Sequence, residues 1–180
     1  MTLRHWLALA LPLLAAATAA PMLAASGEDA EAAQAAGAVR GSLCAQSETI
    51  IFHCGVGRKM VSICGSRVAG IPAQYRFGAP GDIELAYPGP GQSPLTYARE
   101  MYSGGGAQQI RFSNGGYDYA VYSRTVRTGF NGRNNPRFSD GIMVRRGGRL
   151  VSNRSCTTAV RGDSQLENFM AEGTILDWFD

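Results

Sequence analysis

Histidine is almost missing from this 180-residue chain, which holds only His5 and His53. It is the side chain whose charge changes near neutral pH, so its scarcity removes the commonest general acid and base. Other catalytic signatures are missing too. The sequence has no GxSxG nucleophile elbow, no HExxH zinc helix and no Walker loop. Gly55-Val56-Gly57-Arg58-Lys59 has the composition of a phosphate loop but reads as a turn. The four cysteines lack CxxC spacing, and His53 is the one histidine left once an N-terminal signal is removed, so no metal site is expected. His53 sits beside Cys54 in an apolar run and reads as a packed strand residue. Carboxylate pairs such as Asp82 with Glu84, or Glu100 with Asp118, have nothing in the sequence to bring them together. These absences point to a binding protein without a cofactor and not to an enzyme.

Long apolar runs are equally scarce. The one present, Trp6 to Ala17, follows Arg4 and His5 and precedes small residues from Ala15 to Ala25. That is the layout of a secretory signal peptide over residues 1–25. The run is short for a bilayer and no stop-transfer pattern follows, so the mature chain is expected to lack a transmembrane segment and to be periplasmic or secreted. Residues 26–42, rich in Ala, Gly, Glu and Gln without an apolar period, read as a flexible linker. A β domain over 43–160 and a tail over 161–180 complete the chain. Removing the signal takes Arg4 and no acid, so the net charge falls from +3 to +2.

What is present is strand signal. Runs rich in Ile, Val, Tyr and Phe lie near 48–54, 58–64, 73–77, 82–87, 97–102, 108–113, 116–123, 139–146 and 149–155, separated by Gly, Pro and Asn clusters. The spacing predicts an all-β fold, an antiparallel meander closing into a small sandwich or barrel. Ser164-Gln165-Leu166-Glu167 has the form of a capping box before Phe169 and Met170, with Gly173 as a stop, and predicts a short C-terminal helix.

Two hairpins can be read to the residue. A two-residue turn at Asn114-Gly115 sets Phe112 against Tyr117, Ile110 against Tyr119 and Gln108 against Val121 on one face. Arg111 then opposes Asp118 and Gln109 opposes Ala120 on the other, which makes Tyr117 and Tyr119 core residues. A turn at Gly147-Gly148 pairs Arg146 with Arg149 and Val144 with Val151. Like charges directly opposite are unfavourable, so these arginines are expected to splay into solvent or meet an anionic partner.

Cys44, Cys54, Cys64 and Cys156 all follow the signal, so two disulfides are expected among three connectivities. In a first hairpin turning near Gly55–Arg58, Cys64 lies beside the start of the first strand and Cys54 close to the turn. That arrangement predicts Cys44–Cys64 and Cys54–Cys156.

Two regions are candidates for binding. Between Arg124 and Arg154 eight arginines meet the single acid Asp140. Arg124, Arg127, Arg133, Arg145, Arg146 and Arg149 are the candidates there for an anion-binding surface. Nucleic acid is not expected, because the compartment argues against it. Arg161-Gly162-Asp163 spells an adhesion tripeptide, a match too short to carry weight. Ser103-Gly104-Gly105-Gly106 is the second candidate. Three glycines cost backbone entropy on ordering, so the run marks either a bulge or wide turn, or a thin loop able to enter a partner's cleft.

The stretch Met101-Tyr102-Ser103-Gly104-Gly105-Gly106-Ala107, with Ile110-Arg111-Phe112 and Gly116-Tyr117-Asp118-Tyr119-Ala120-Val121-Tyr122-Ser123, resembles a motif of small secreted bacterial proteins. Ile51 to Cys54, Val61 to Cys64, Gln74 to Gly78 and Gly141 to Val144 before Cys156 extend the likeness over about residues 44–156. The group is similar to the periplasmic lysozyme inhibitors, small β proteins in which a Ser-Gly loop plugs the lysozyme cleft. The resemblance implies inhibition of a lysozyme-like peptidoglycan hydrolase, with Ser103, Gly104, Gly105 and Gly106 as the partner-binding residues. It departs from the pattern at Gln108 and Gln109, where those proteins place a tyrosine after the Ser-Gly run.

Overall fold

Alternation of apolar and polar residues between glycine turns gives ten strands among the described residues of the computed structural model, which are 41–129, 132, 135–158 and 165–176. The strands are β1 (Glu48–Val56), β2 (Lys59–Ser66), β3 (Gln74–Ala79), β4 (Asp82–Tyr87) and β5 (Thr96–Tyr102). They continue as β6 (Gly105–Asn114), β7 (Tyr117–Val126), β8 (Arg137–Arg146), β9 (Arg149–Ser155) and β10 (Ala171–Glu172). Every expected strand is present. The signal region, all of the linker but its last two residues, and the Arg161-Gly162-Asp163 tripeptide lie outside the described residues.

The strands form a sandwich of two meanders. One sheet runs β1-β2-β3-β4 and the other β10-β5-β6-β7-β8-β9, antiparallel except where β10 lies parallel to β5. The core between them is aromatic at its centre. Phe112 stacks on Tyr87 at 4.4 Å and on Tyr119 at 4.6 Å, and Tyr75 tilts against it at 4.8 Å. Ile51, Val61, Ile63, Leu95, Ile110, Val121, Ile142 and Leu166 are buried around it. Two disulfides, Cys44–Cys64 and Cys54–Cys156, pair as the first hairpin implied, and the second joins the two sheets.

Ser42 and Leu43 are buried against the outer face of the smaller sheet. Leu43 N–H donates to Ser62 Oγ at 3.0 Å. Arg76 donates to Leu43 O at 2.8 Å and grips both carboxylate oxygens of Glu48 at 2.7 Å each. A half-buried bidentate pair of this kind fixes direction as well as charge.

Four expectations need correction. The β6–β7 turn is Gly115-Gly116 and not Asn114-Gly115, so Phe112 faces Tyr119 and Ile110 faces Val121. Both glycines take positive φ, +60° and +79°, which two successive glycines adopt without a Cβ penalty. The slip keeps each residue on its expected face but moves Arg111 from Asp118 to Ala120, while Ser113 now holds Asp118 at 2.5 Å. Tyr119 packs on the core, whereas Tyr117 lies outside it with Arg146 5.1 Å from its ring centre. In the β8–β9 hairpin Arg146 does face Arg149, but a bulge after Val144 sets Val144 against Ser152 in place of Val151. The expected C-terminal helix is a single 3-10 turn, Leu166–Asn168, with no side-chain cap. Glu167 reaches Arg99 instead, and Gly173 donates to Tyr97 O as the chain runs on beside β5.

Two outcomes follow for stability. The Cys54–Cys156 bridge closes 102 residues and Cys44–Cys64 only 20. Urea unfolding of the paired Cys→Ala variants should therefore show a loss of about 2–5 kcal/mol, larger for the Cys54/Cys156 variant. Burial raises the Tyr75 phenol far above its ordinary value, and neighbouring Tyr119 adds to the shift. Burial also raises Tyr119 and Tyr122. The unfolded chain ionises these phenols near pH 10 while the folded chain does not, so stability holds below about pH 10 and falls above it. Denaturant titrations across that range should show the decline, and Tyr75→Phe should make it shallower.

Candidate partner-binding site

Only two residues of the Ser-Gly run form a loop. Ser103 and Gly104 make the β5–β6 turn, closed by the Tyr102–Gly105 pair, and both are exposed. Gly104 has φ +89° and accepts a hydrogen bond from Arg127 N–H at 2.9 Å. Gly105 and Gly106 belong to β6, opposite Val126 and Thr125. A Cβ on Gly105 would lie 2.0 Å from Thr125 O, and one on Gly106 would lie 2.9 Å from Met101 Sδ. Gly105 and Gly106 are therefore neither loop, turn nor bulge but regular strand residues, whose missing side chains admit a neighbouring strand and side chain. The turn is also braced from beneath. The Tyr102 hydroxyl donates to Thr125 O at 2.8 Å and accepts from Arg124 Nε at 3.3 Å.

Beside the turn, the inner face of the large sheet runs on past its core. Register and alternation place successive rows across β5, β6, β7 and β8 on that face. Tyr97, Ile110, Val121 and Ile142 are the last buried row. Arg99, Gln108, Ser123 and Asp140 follow, then Met101, Gly106, Thr125 and Phe138. Met101 is 83% exposed and Phe138 69%. Arg99, Met101, Gly106, Gln108, Ser123 and Thr125 line an open groove of about 580 Å³. Arg99 is held there by Gln108 at 3.2 Å and Glu167 at 3.2 Å. The groove therefore has a small-residue floor, an apolar rim and a tethered guanidinium. Sequence reasoning missed Met101 and Phe138 as surface features. Phe138 was hidden because β8 starts at Arg137, two residues before the expected strand.

The structure breaks up the arginine-rich region. Arg145 is buried at 4% exposure, opposite Asp118, and does not belong to a surface patch. Its side chain points to the outer face of the large sheet with Met143 and Ala120, where the alternation of β8 carries it. Arg124 is tied to Tyr102, and Arg127 Nε donates to Gly129 O at 2.7 Å. Arg133 lies outside the described residues. Arg146 and Arg149 remain exposed and face each other.

The carboxylate pairs are not assembled into a site. Glu84 holds Lys59 at 2.6 Å. Glu100 and Asp118 pair with Ala107 and Ser113, positions far apart on β6, which is about 20 Å of strand. His53 is buried in β1 opposite Ser62, as a packed strand histidine. Glu48 approaches Cys44 and Cys64, but those sulfurs form the disulfide and its carboxylate is engaged by Arg76.

The glycines give a direct test of the turn's construction. Gly105→Ala should be strongly destabilising, because its Cβ would collide with the Thr125 carbonyl. Ser103→Ala, on an exposed turn, should change stability by less than about 0.5 kcal/mol. Thermal unfolding of the two variants side by side would check the contrast. No family model, curated protein or solved structure matches the chain.

Proposed function

We propose that this chain is an exported binding protein of the cell envelope that inhibits a lysozyme-like peptidoglycan hydrolase. The Ser103–Gly104 turn and the groove beside it form the docking surface. The two disulfides suit an oxidising compartment outside the cytosol. No helix among the described residues is long and apolar enough to cross a membrane. The observation that carries the reading is the turn itself, two exposed residues wide and buttressed by Arg127 and Tyr102.

A probe for an enzyme cleft has to be narrow and stiff. Here Ser103 offers a hydroxyl and Gly104 a bare backbone, while the exposed apolar side chains of Met101 and Phe138 supply contact area around them. A carboxylate in the cleft would accept from Ser103. Hydrogen bonds to charged groups contribute about 1.5–3 kcal/mol, so Ser103→Ala should weaken inhibition by roughly ten- to a hundredfold. Met101→Ala should weaken it as well while leaving the fold intact. The test is a lysozyme panel of several classes, assayed with purified mature protein and both variants. If no class is inhibited by the intact protein, the reading fails. If one is inhibited equally by all three proteins, the inhibition stands and the turn is the wrong site.

A further inference from the structure

We propose that the free edge of β9 is a docking strand for an extended, acidic segment of a partner protein, which adds to the large sheet as a further strand. β9 ends that sheet, and apart from Ser152 each of its residues from Arg149 to Ser155 is exposed. Among the described residues nothing pairs with the outer side of the strand, which carries open backbone groups. Cys156 N–H donates to Asp140 O at 2.8 Å, which marks that pair as hydrogen-bonded. Antiparallel alternation then makes Arg154–Ile142 and Ser152–Val144 hydrogen-bonded pairs too, and turns the N–H and C=O of Asn153 and Ser155 away from β8.

Open edges are usually blunted by short length, charge, proline or cover. β10 is two residues long, and β1 is covered at Gly55, which accepts from Thr157 N–H and donates to Thr158 Oγ1 at 2.8 Å each. β9 has seven residues, no proline and two exposed aliphatics, Leu150 at 45% and Val151 at 56%. Its charges would repel a strand like itself, yet they are laid out for an acidic one. Arg149 and Arg154 lie on the strand and Arg146 faces Arg149 across the hairpin. Among the described residues none of these three makes an ion pair. A like-charged pair kept directly opposite is unfavourable by itself, and an incoming carboxylate relieves it. The occupant is thus an extended chain with alternating acidic and aliphatic residues, held by main-chain hydrogen bonds and oriented by charge.

The test uses the mature protein with a synthetic octapeptide of alternating Glu and Val, followed by fluorescence anisotropy. The expected result is binding that weakens with added salt. It should fall at least about tenfold in Arg149→Glu, and about tenfold in Asn153→Pro, which removes one outward N–H. Asn153 Oδ1 also accepts from Tyr122, so Asn153→Ala is the control, losing the side chain but keeping the amide. It should bind normally, and thermal unfolding shows that each variant is folded. Equal binding by the proline and alanine variants would overturn strand addition. So would stronger binding to vesicles of anionic lipid than to the peptide, because that assigns the arginines to a membrane surface. Self-association of the protein alone, abolished by Asp82→Arg on the acidic β4 edge, would assign β9 to a second copy and overturn a foreign partner.

Discussion

Phe112, stacked between Tyr87 and Tyr119, fixes where the small sheet sits on the large one. Tyr87 comes from the small sheet, while Phe112 and Tyr119 come from neighbouring strands of the large one. Stacked rings prefer a narrow range of offsets, so this trio acts as a locating pin and not only as buried area. The small sheet covers the end of the large sheet that carries these rings. The opposite end, beyond the Tyr97 row, is left bare. The exposed groove and the Ser103–Gly104 turn are therefore products of an offset between two sheets of unequal size.

The outer faces are closed by the chain itself. Near the N-terminus, Leu43 is hydrogen-bonded to Ser62 and Arg76, with Cys44–Cys64 as the covalent tie. Near the C-terminus, buried Gln109 donates to Leu176 O at 2.8 Å and accepts from its N–H at 2.7 Å. Arg111 reaches Thr174, and Leu176 lies on Ala120, Tyr122 and Met143. In both places a side chain in the sheet satisfies the backbone of a passing segment, the accounting that burial of polar groups demands. Gln109 and its neighbour Gln108 point to opposite faces, Gln108 to the groove and Gln109 to this C-terminal segment.

Strand positions were legible because alternation and glycine turns are local signals, and the disulfides followed from one hairpin. Turn register was not. Asn114-Gly115-Gly116 offers two adjacent two-residue turns of similar quality, and the choice is made by Phe112 finding Tyr119 and Tyr87 in the core. Tertiary packing decides such ties. The tail was unreadable for a related reason. Leu166, Phe169 and Met170 fit a helix pattern, but only one 3-10 turn forms before Ala171 and Glu172 pair with β5 as β10. Arg145 was misplaced because the sequence shows a run of cations and not which of them the alternation of β8 turns toward Met143.

The chemistry available at the bare end is what the proposed recognition role would use. Its one guanidinium is committed to Gln108 and Glu167, and its floor is backbone, glycine and small hydroxyl side chains. Recognition asks for rigid placement of apolar area and a few polar atoms, with little entropy left to lose. A turn pinned by Arg127 and Tyr102 meets that demand before any partner arrives. Gly105 and Gly106 contribute by allowing Thr125 and Met101 to close in, so glycines that first suggested a thin loop instead admit the neighbours that pack beside the turn.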